Sequence, residues 1–126
     1  MVDEFVVLDL VTATVEKADT GLIVYQVNSP DNEKREHIVI NNLPLNELEQ
    51  VCKIDVNVNI FTRKYDDGSP AMEKQQTIKR KIRVALDNID HPEGMYFSSK
   101  ILWSERISDT KQGFDCINIR LNIITE

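Results

Sequence analysis

Two stretches of the chain alternate apolar and polar residues with a period of two, the mark of a strand with one buried face. In residues 53–61, Ile54, Val56, Val58 and Ile60 point one way, and Asp55, Asn57 and Asn59 the other. In residues 114–124, Ile117, Ile119, Leu121 and Ile123 share one side, and Asn118, Arg120 and Asn122 the other. If both strands lie in one sheet, Asn57, Asn59, Asn118, Arg120 and Asn122 form a polar tract on the face away from the core. Such a tract can be wetted or docked. It holds no obvious catalytic machinery, which points to a structural or binding part.

A period of 3.6 predicts two helices. Over residues 3–18, Val7, Leu10, Val11 and Thr14 recur at helical spacing, and Val6, Val15 and Ala18 widen the stripe. Asp3 is the expected cap, and Asp19-Thr20-Gly21 the stop. Ser69-Pro70 predicts the second helix start, with Ser as N-cap and Pro at the first helical position, where no N–H is needed. That helix is expected to reach about Asn88 and to bury Ile78, Ile82, Ala85, Leu86 and Ile89.

Between the helices lie strands at 22–27, 37–41 and about 50–63. The polar segment 28–36 joins the first two and is longer than a tight hairpin. Pro44 breaks the pattern because it cannot donate to a ladder. Turns at 91–94 and 109–113 bound a fourth strand, 95–108, whose alternation slips near Ser98-Ser99 and so predicts a bulge. Tyr96, Phe97 and Trp103 in it read as sheet core. The order is α-β-β-β-α-β-β, one α+β domain over residues 1–126, with an antiparallel sheet of about five strands and both helices on one face. Its expected core contains Val56, Val58, Ile60, Ile78, Ile82, Leu86, Ile117, Ile119 and Leu121.

Composition agrees with a folded domain: 126 residues, 41% hydrophobic and 29% charged. The longest apolar runs fall far short of the roughly 20 residues of a membrane span. The first residues carry acid where a signal peptide carries Lys or Arg, so a cytoplasmic chain is expected. Cys52 and Cys116 both fall in strand patterns. Reduced thiols are the expected state, although the spacing alone also allows a disulfide.

Charge changes the picture more. The net charge is −6, yet residues 73–83 hold five basic groups and one acidic, leaving −10 for the rest. Lys79, Arg80, Lys81 and Arg83 form a basic strip on the outward side of the second helix. It is either a solvated face or a docking strip for an acidic neighbour, and another copy of the chain is such a neighbour. Nucleic acid fits less well, since no aromatic residues interleave with the basic ones.

Candidate chemistry is thin. The sequence lacks a Gly-rich phosphate loop, a G-x-S-x-G elbow and a C-x-x-C pair, so no catalytic residue, cofactor or metal is expected. His37 and His91 have no second His or Cys at ligand spacing. Asp66-Asp67-Gly68 is turn chemistry. Asp87 and Asp90 stand near a helix C-terminus, where acid is mildly unfavourable, as solvated groups or contacts for a basic partner.

Taken together, the helix-to-strand run 8–25, the alternation Val56-Asn57-Val58-Asn59-Ile60 and the helix face from Ile78 to Leu86 before a closing strand pair resemble the tail terminator and tail completion (head–tail joining) proteins of long-tailed bacteriophages and prophages. The resemblance lies in element order over nearly the whole chain, not in an invariant motif. It implies a structural protein without enzymatic activity that assembles with itself into a ring, commonly hexameric. The ring would cap the tail tube and join it to the head connector, with DNA only as cargo passing through a channel. It also implies arms from the 28–36 segment and the 62–69 loop, assembly in the cytoplasm, and a final place in the virion tail. The competing expectation is a small regulatory or ligand-binding α+β domain, monomeric or dimeric, that uses the polar sheet face as its site.

Overall fold

The computed structural model describes residues 3–90, 96–107 and 111–126. Helix α1 (Glu4–Glu16) begins where Asp3 adopts an extended conformation and its carboxylate accepts a hydrogen bond from the Val6 N–H at 3.0 Å. Its buried stripe is Val7, Leu8, Val11, Thr12, Thr14 and Val15. The stripe is rotated from the expected one: Leu8 takes the place given to Leu10, and Val6 is exposed. Thr12 and Thr14 tolerate this position because their hydroxyls donate back to the Leu8 and Leu10 carbonyls.

Helix α2 (Met72–Leu86) starts later than Ser69-Pro70 suggested. Ser69 is engaged elsewhere, since its N–H and its hydroxyl both donate to Asp67 Oδ1, at 2.9 and 2.6 Å, closing the Asp66-Asp67-Gly68 turn. Ala71 takes the N-cap position without a side-chain cap. Ile78, Ile82 and Leu86 are buried as expected, while Ala85 and Ile89 are only half-buried.

The strands are β1 (Ile23–Gln26), β2 (His37–Asn42), β3 (Asn46–Glu47), β4 (Cys52–Arg63), β5 (Phe97–Ile107) and β6 (Phe114–Thr125). They form one sheet in the order β1-β2-β4-β6-β5, with the short, unanticipated β3 beside the start of β4. Pairings are antiparallel with one exception. β1 runs parallel to β2, Ile23 opposite His37 through Gln26 opposite Ile40, where an all-antiparallel sheet was expected. The cause is local. The Asn28 N–H donates to the Gln26 carbonyl at 2.8 Å around Val27, whose φ of 70° marks the strained, positive-φ kind of γ-turn. The chain then returns along the sheet through 28–36, so β2 starts at the same end as β1. A parallel pair always needs such a crossover; here a strap without a helix makes it.

The second departure is in β5. Its register shifts between Ile101 and Trp103, so the bulge falls at Leu102 and not at Ser98-Ser99. Trp103 is thereby turned to the outer face opposite Arg120 and is exposed, as is Tyr96, while Phe97 is half-buried. The expected aromatic core in this strand is not formed. The predicted turn at 91–94, His91 within it, and the start of the 109–113 loop lie outside the described residues.

Both helices cover the inner sheet face, where one core joins Val7, Leu8, Val11 and Val15 of α1 with Ile78, Ile82 and Leu86 of α2. Ile38, Ile40, Ile54, Val56, Val58, Ile60, Ile117, Ile119, Leu121 and Ile123 complete it from the strands. All nine residues expected in the core are there. Each fully buried aliphatic side chain contributes roughly 1.5–3 kcal/mol relative to exposure, so this layer dominates stability. Cys52 lies opposite Thr125 and Cys116 opposite Phe61, at far ends of the β4–β6 pair, which rules out a disulfide between them.

Candidate interaction face

The β4–β6 register sets Asp55 opposite Asn122, Asn57 opposite Arg120 and Asn59 opposite Asn118, all on the outer face. Antiparallel neighbours bring opposed side chains within about 5 Å, and these pairs bond across the strands. Asn118 Nδ2 donates to Asn59 Oδ1 at 2.9 Å and to Asn57 Oδ1 at 3.2 Å. Arg120 Nε donates to the same Asn57 oxygen at 2.7 Å, and Asn57 Nδ2 continues to Asn41 Oδ1 on β2 at 2.9 Å. Asn122 Nδ2 donates to Asp55 Oδ1 at 2.9 Å, and Arg120 Nη1 stands 3.8 Å from Asp55 Oδ2. The tract is therefore one lateral network over β2, β4 and β6. Asn118, at its centre, is buried at 4% exposure.

This network makes the face polar but firm, because its members hold one another in place. Its members are amides and one guanidinium, with Asp55 as the single carboxylate, bonded to Asn122 and facing Arg120. The guanidinium of Arg120 also lies 4.9 Å from the centre of the Trp103 ring, a cation–π contact. Trp103 and the bulged Leu102 are 44% and 40% exposed on β5, and among the described residues only β6 pairs with this strand, so its other side is a sheet edge. An open edge with unpaired N–H and C=O groups is a template for another chain, although a bulge and charged residues such as Lys100 moderate it.

The other end of the outer face is closed. His37 is fully buried, stacked on Phe61 with ring centres 4.8 Å apart, and meets the edges of Tyr25 and Phe114. The strap 28–36 is fastened over this end. Tyr25 donates its hydroxyl proton to Glu33, Arg35 grips both Glu33 oxygens at 3.0 and 2.8 Å, and Arg63 Nη1 donates to the Lys34 carbonyl at 2.7 Å. Arg35, then Tyr25, holds the Glu33 carboxyl well below the usual range. The arm expected from 28–36 is thus folded against its own sheet. The 62–69 loop is likewise a compact turn, in which Tyr65 N–H reaches the Ser69 carbonyl and Gly68 N–H the Tyr65 carbonyl.

The basic strip lies in another place. Lys79, Arg80 and Arg83 are on α2, which covers the inner face, so the structure does not bring them together with the asparagine tract. Arg80 and Arg83 are exposed and Lys79 is half-buried. Asn41, not singled out, joins the tract, as do Asp55, read on the same strand face, and Trp103, which was expected in the core. Asn41 was legible, since it follows His37 and Val39 on one side of a strand; the turn of Trp103 depends on the place of the bulge, which the alternation put at Ser98-Ser99 and the structure has at Leu102. Among the described residues, no group of three His, Cys, Asp or Glu side chains is placed to hold a metal, and no helix is long and apolar enough to cross a membrane. No family model and no curated protein matches this chain.

Proposed function

We propose that this chain is a structural subunit, not an enzyme, that assembles with copies of itself into a ring at the head-proximal end of a phage-type tail. In that role it would contact tail-tube and head-connector proteins and leave an axial channel for DNA. The observation that carries the assembly part is the outer face: a self-braced polar tract, a half-buried Arg120 against the exposed Trp103, and beside them the outer side of β5, with which no further strand among the described residues pairs. A surface whose polar groups are already mutually bonded loses little side-chain freedom on docking. The tail-end part rests on the element order, α-β-β-β-α-β-β apart from the short added β3, and on the net charge of −6, which suits a channel that DNA must not stick to. With the strap and the 62–69 turn folded in, the contacts fall to the open edge, the outer face and the helix layer.

The test is native mass spectrometry and electron imaging of the purified chain, alone and mixed with tail-tube subunits. The expected result is a closed ring with an open axis, whether formed alone or only on the tube, since a partner can supply part of the ordering free energy. A chain that stays monomeric or dimeric in both conditions at high concentration would overturn the reading. It would favour a small regulatory or ligand-binding α+β domain that uses the polar sheet face as its site.

A further inference from the structure

The helix layer carries two unlike surface features that the assembly reading leaves unassigned. One is a groove of about 640 Å³ between the C-terminal half of α1 and α2. Its apolar part comes from Ala18, Val84 and Ala85, and Val84 is 64% exposed. Lys17, Arg80 and Lys81 line it with positive charge, while Asp19 and Asp90 also border it. The other feature is the first turn of α1. Phe5 and Val6 stand adjacent and exposed there, Phe5 at 67%, flanked by the acids Asp3, Glu4 and Asp9. Neighbouring exposed apolar residues rimmed by charge mark a contact site more often than single ones do.

We infer that the groove of one copy receives the Phe5–Val6 turn of the next copy, in a head-to-tail contact. This rests on the assembly reading and names one of its interfaces. Charge supports a second copy as the occupant. The knob is acidic, with Glu4 beside Phe5, Asp3 capping the helix and Asp9 one turn on bonded to Gln26, whereas the groove's lining holds three cations against two acids. Opposite charges in this arrangement fix register and exclude the reversed orientation. The groove volume is that of a cleft able to take side chains of this size. A chain cannot fill its own groove. Helix α1 is a rigid rod of 13 residues, so its first turn is held about 20 Å from its last. Made once between each pair of copies, a contact between two different patches is heterologous, and repeating it closes a ring or builds a filament.

Two variants test this, Phe5→Ser and Val84→Glu. Both positions are exposed, so both variants should melt like the parent chain, which serves as the control for folding. In native mass spectrometry each variant alone should lose the parent's oligomer, with the contact weakened at least tenfold. Mixed in equal amounts, they should form one-to-one dimers and nothing larger, because only the intact knob of Val84→Glu and the intact groove of Phe5→Ser can meet. Oligomers unchanged in both variants would overturn the contact while leaving the ring itself standing. Loss of assembly in Val84→Glu but not in Phe5→Ser would mean that the groove takes a different occupant. A parent chain that never assembles, alone or with tail-tube subunits, would remove both this contact and the reading beneath it.

Discussion

At one end of the outer sheet face, Tyr25, His37, Phe61 and Phe114 pack ring against ring beneath the strap 28–36. At the other end of the same strands, in unbroken register, Asn57, Asn59, Asn118, Arg120 and Asn122 form a bonded polar network that stays partly open. β4 supplies both Phe61 and Asn57, and β6 both Phe114 and Asn118. Strand alternation therefore decides only which face a side chain joins. Whether that face is wet or dry is decided by a crossover from elsewhere in the chain, which reaches one end and stops short of the other. The outer face is thus half core and half open polar surface.

The sharpest way to break this comparison is to remove one anchor at each end. Phe114→Ala should cost about 3–4 kcal/mol in denaturant unfolding, as expected for emptying a packed aromatic site. Asn118→Ala should cost about 1 kcal/mol, because water can reach the half-exposed Asn57 and Asn59 oxygens it leaves behind. Equal losses would show that the two ends do not differ in the way described.

A smaller effect separates the ends by pH. Burial lowers the affinity of His37 for a proton; its Nδ1 faces the Arg35 carbonyl at 2.7 Å, while Nε2 is buried without a partner among the described residues. Lys111 opposes a charge on the ring as well, and Glu33 favours one. With the folded-state pKa below the unfolded value, the unfolded chain binds the proton first. Stability is then fully present above about pH 6.5 and declines as pH falls toward the depressed folded value. Glu33 is also depressed, so its contribution is lost at lower pH, below about 4.5. In His37→Phe the upper decline should flatten and the lower one persist. Parallel pH curves for variant and parent would mean that the ring does not sense the closure.

Much of this architecture was legible because it is periodic. The stripe of Ile78, Ile82 and Leu86 and the alternations of β4 and β6 need only local spacing to declare their inner faces. The polar tract was legible for the same reason, residue by residue. What stayed hidden depends on contacts or on backbone. Ser69 has the chemistry of a helix cap, but Asp67 takes both of its donors. The parallel β1–β2 pair turns on the backbone of Val27, a residue type that seldom takes positive φ. The burial of Glu33 needs Tyr25, Arg35 and Arg63 from three separate stretches of chain. His37 read as a strand-end residue and is instead the centre of a second, smaller core.

Trp103, the only tryptophan in the chain, stands on the open half of that face with a guanidinium beside its ring. Indole emission moves to shorter wavelength when water leaves its surroundings, and a nearby cation displaces it in its own way. Any partner that settles over Arg120, or draws it aside, therefore changes the fluorescence of the unmodified protein. The bulge at Leu102, by turning one aromatic ring outward, has given this surface a native optical reporter of its own occupancy.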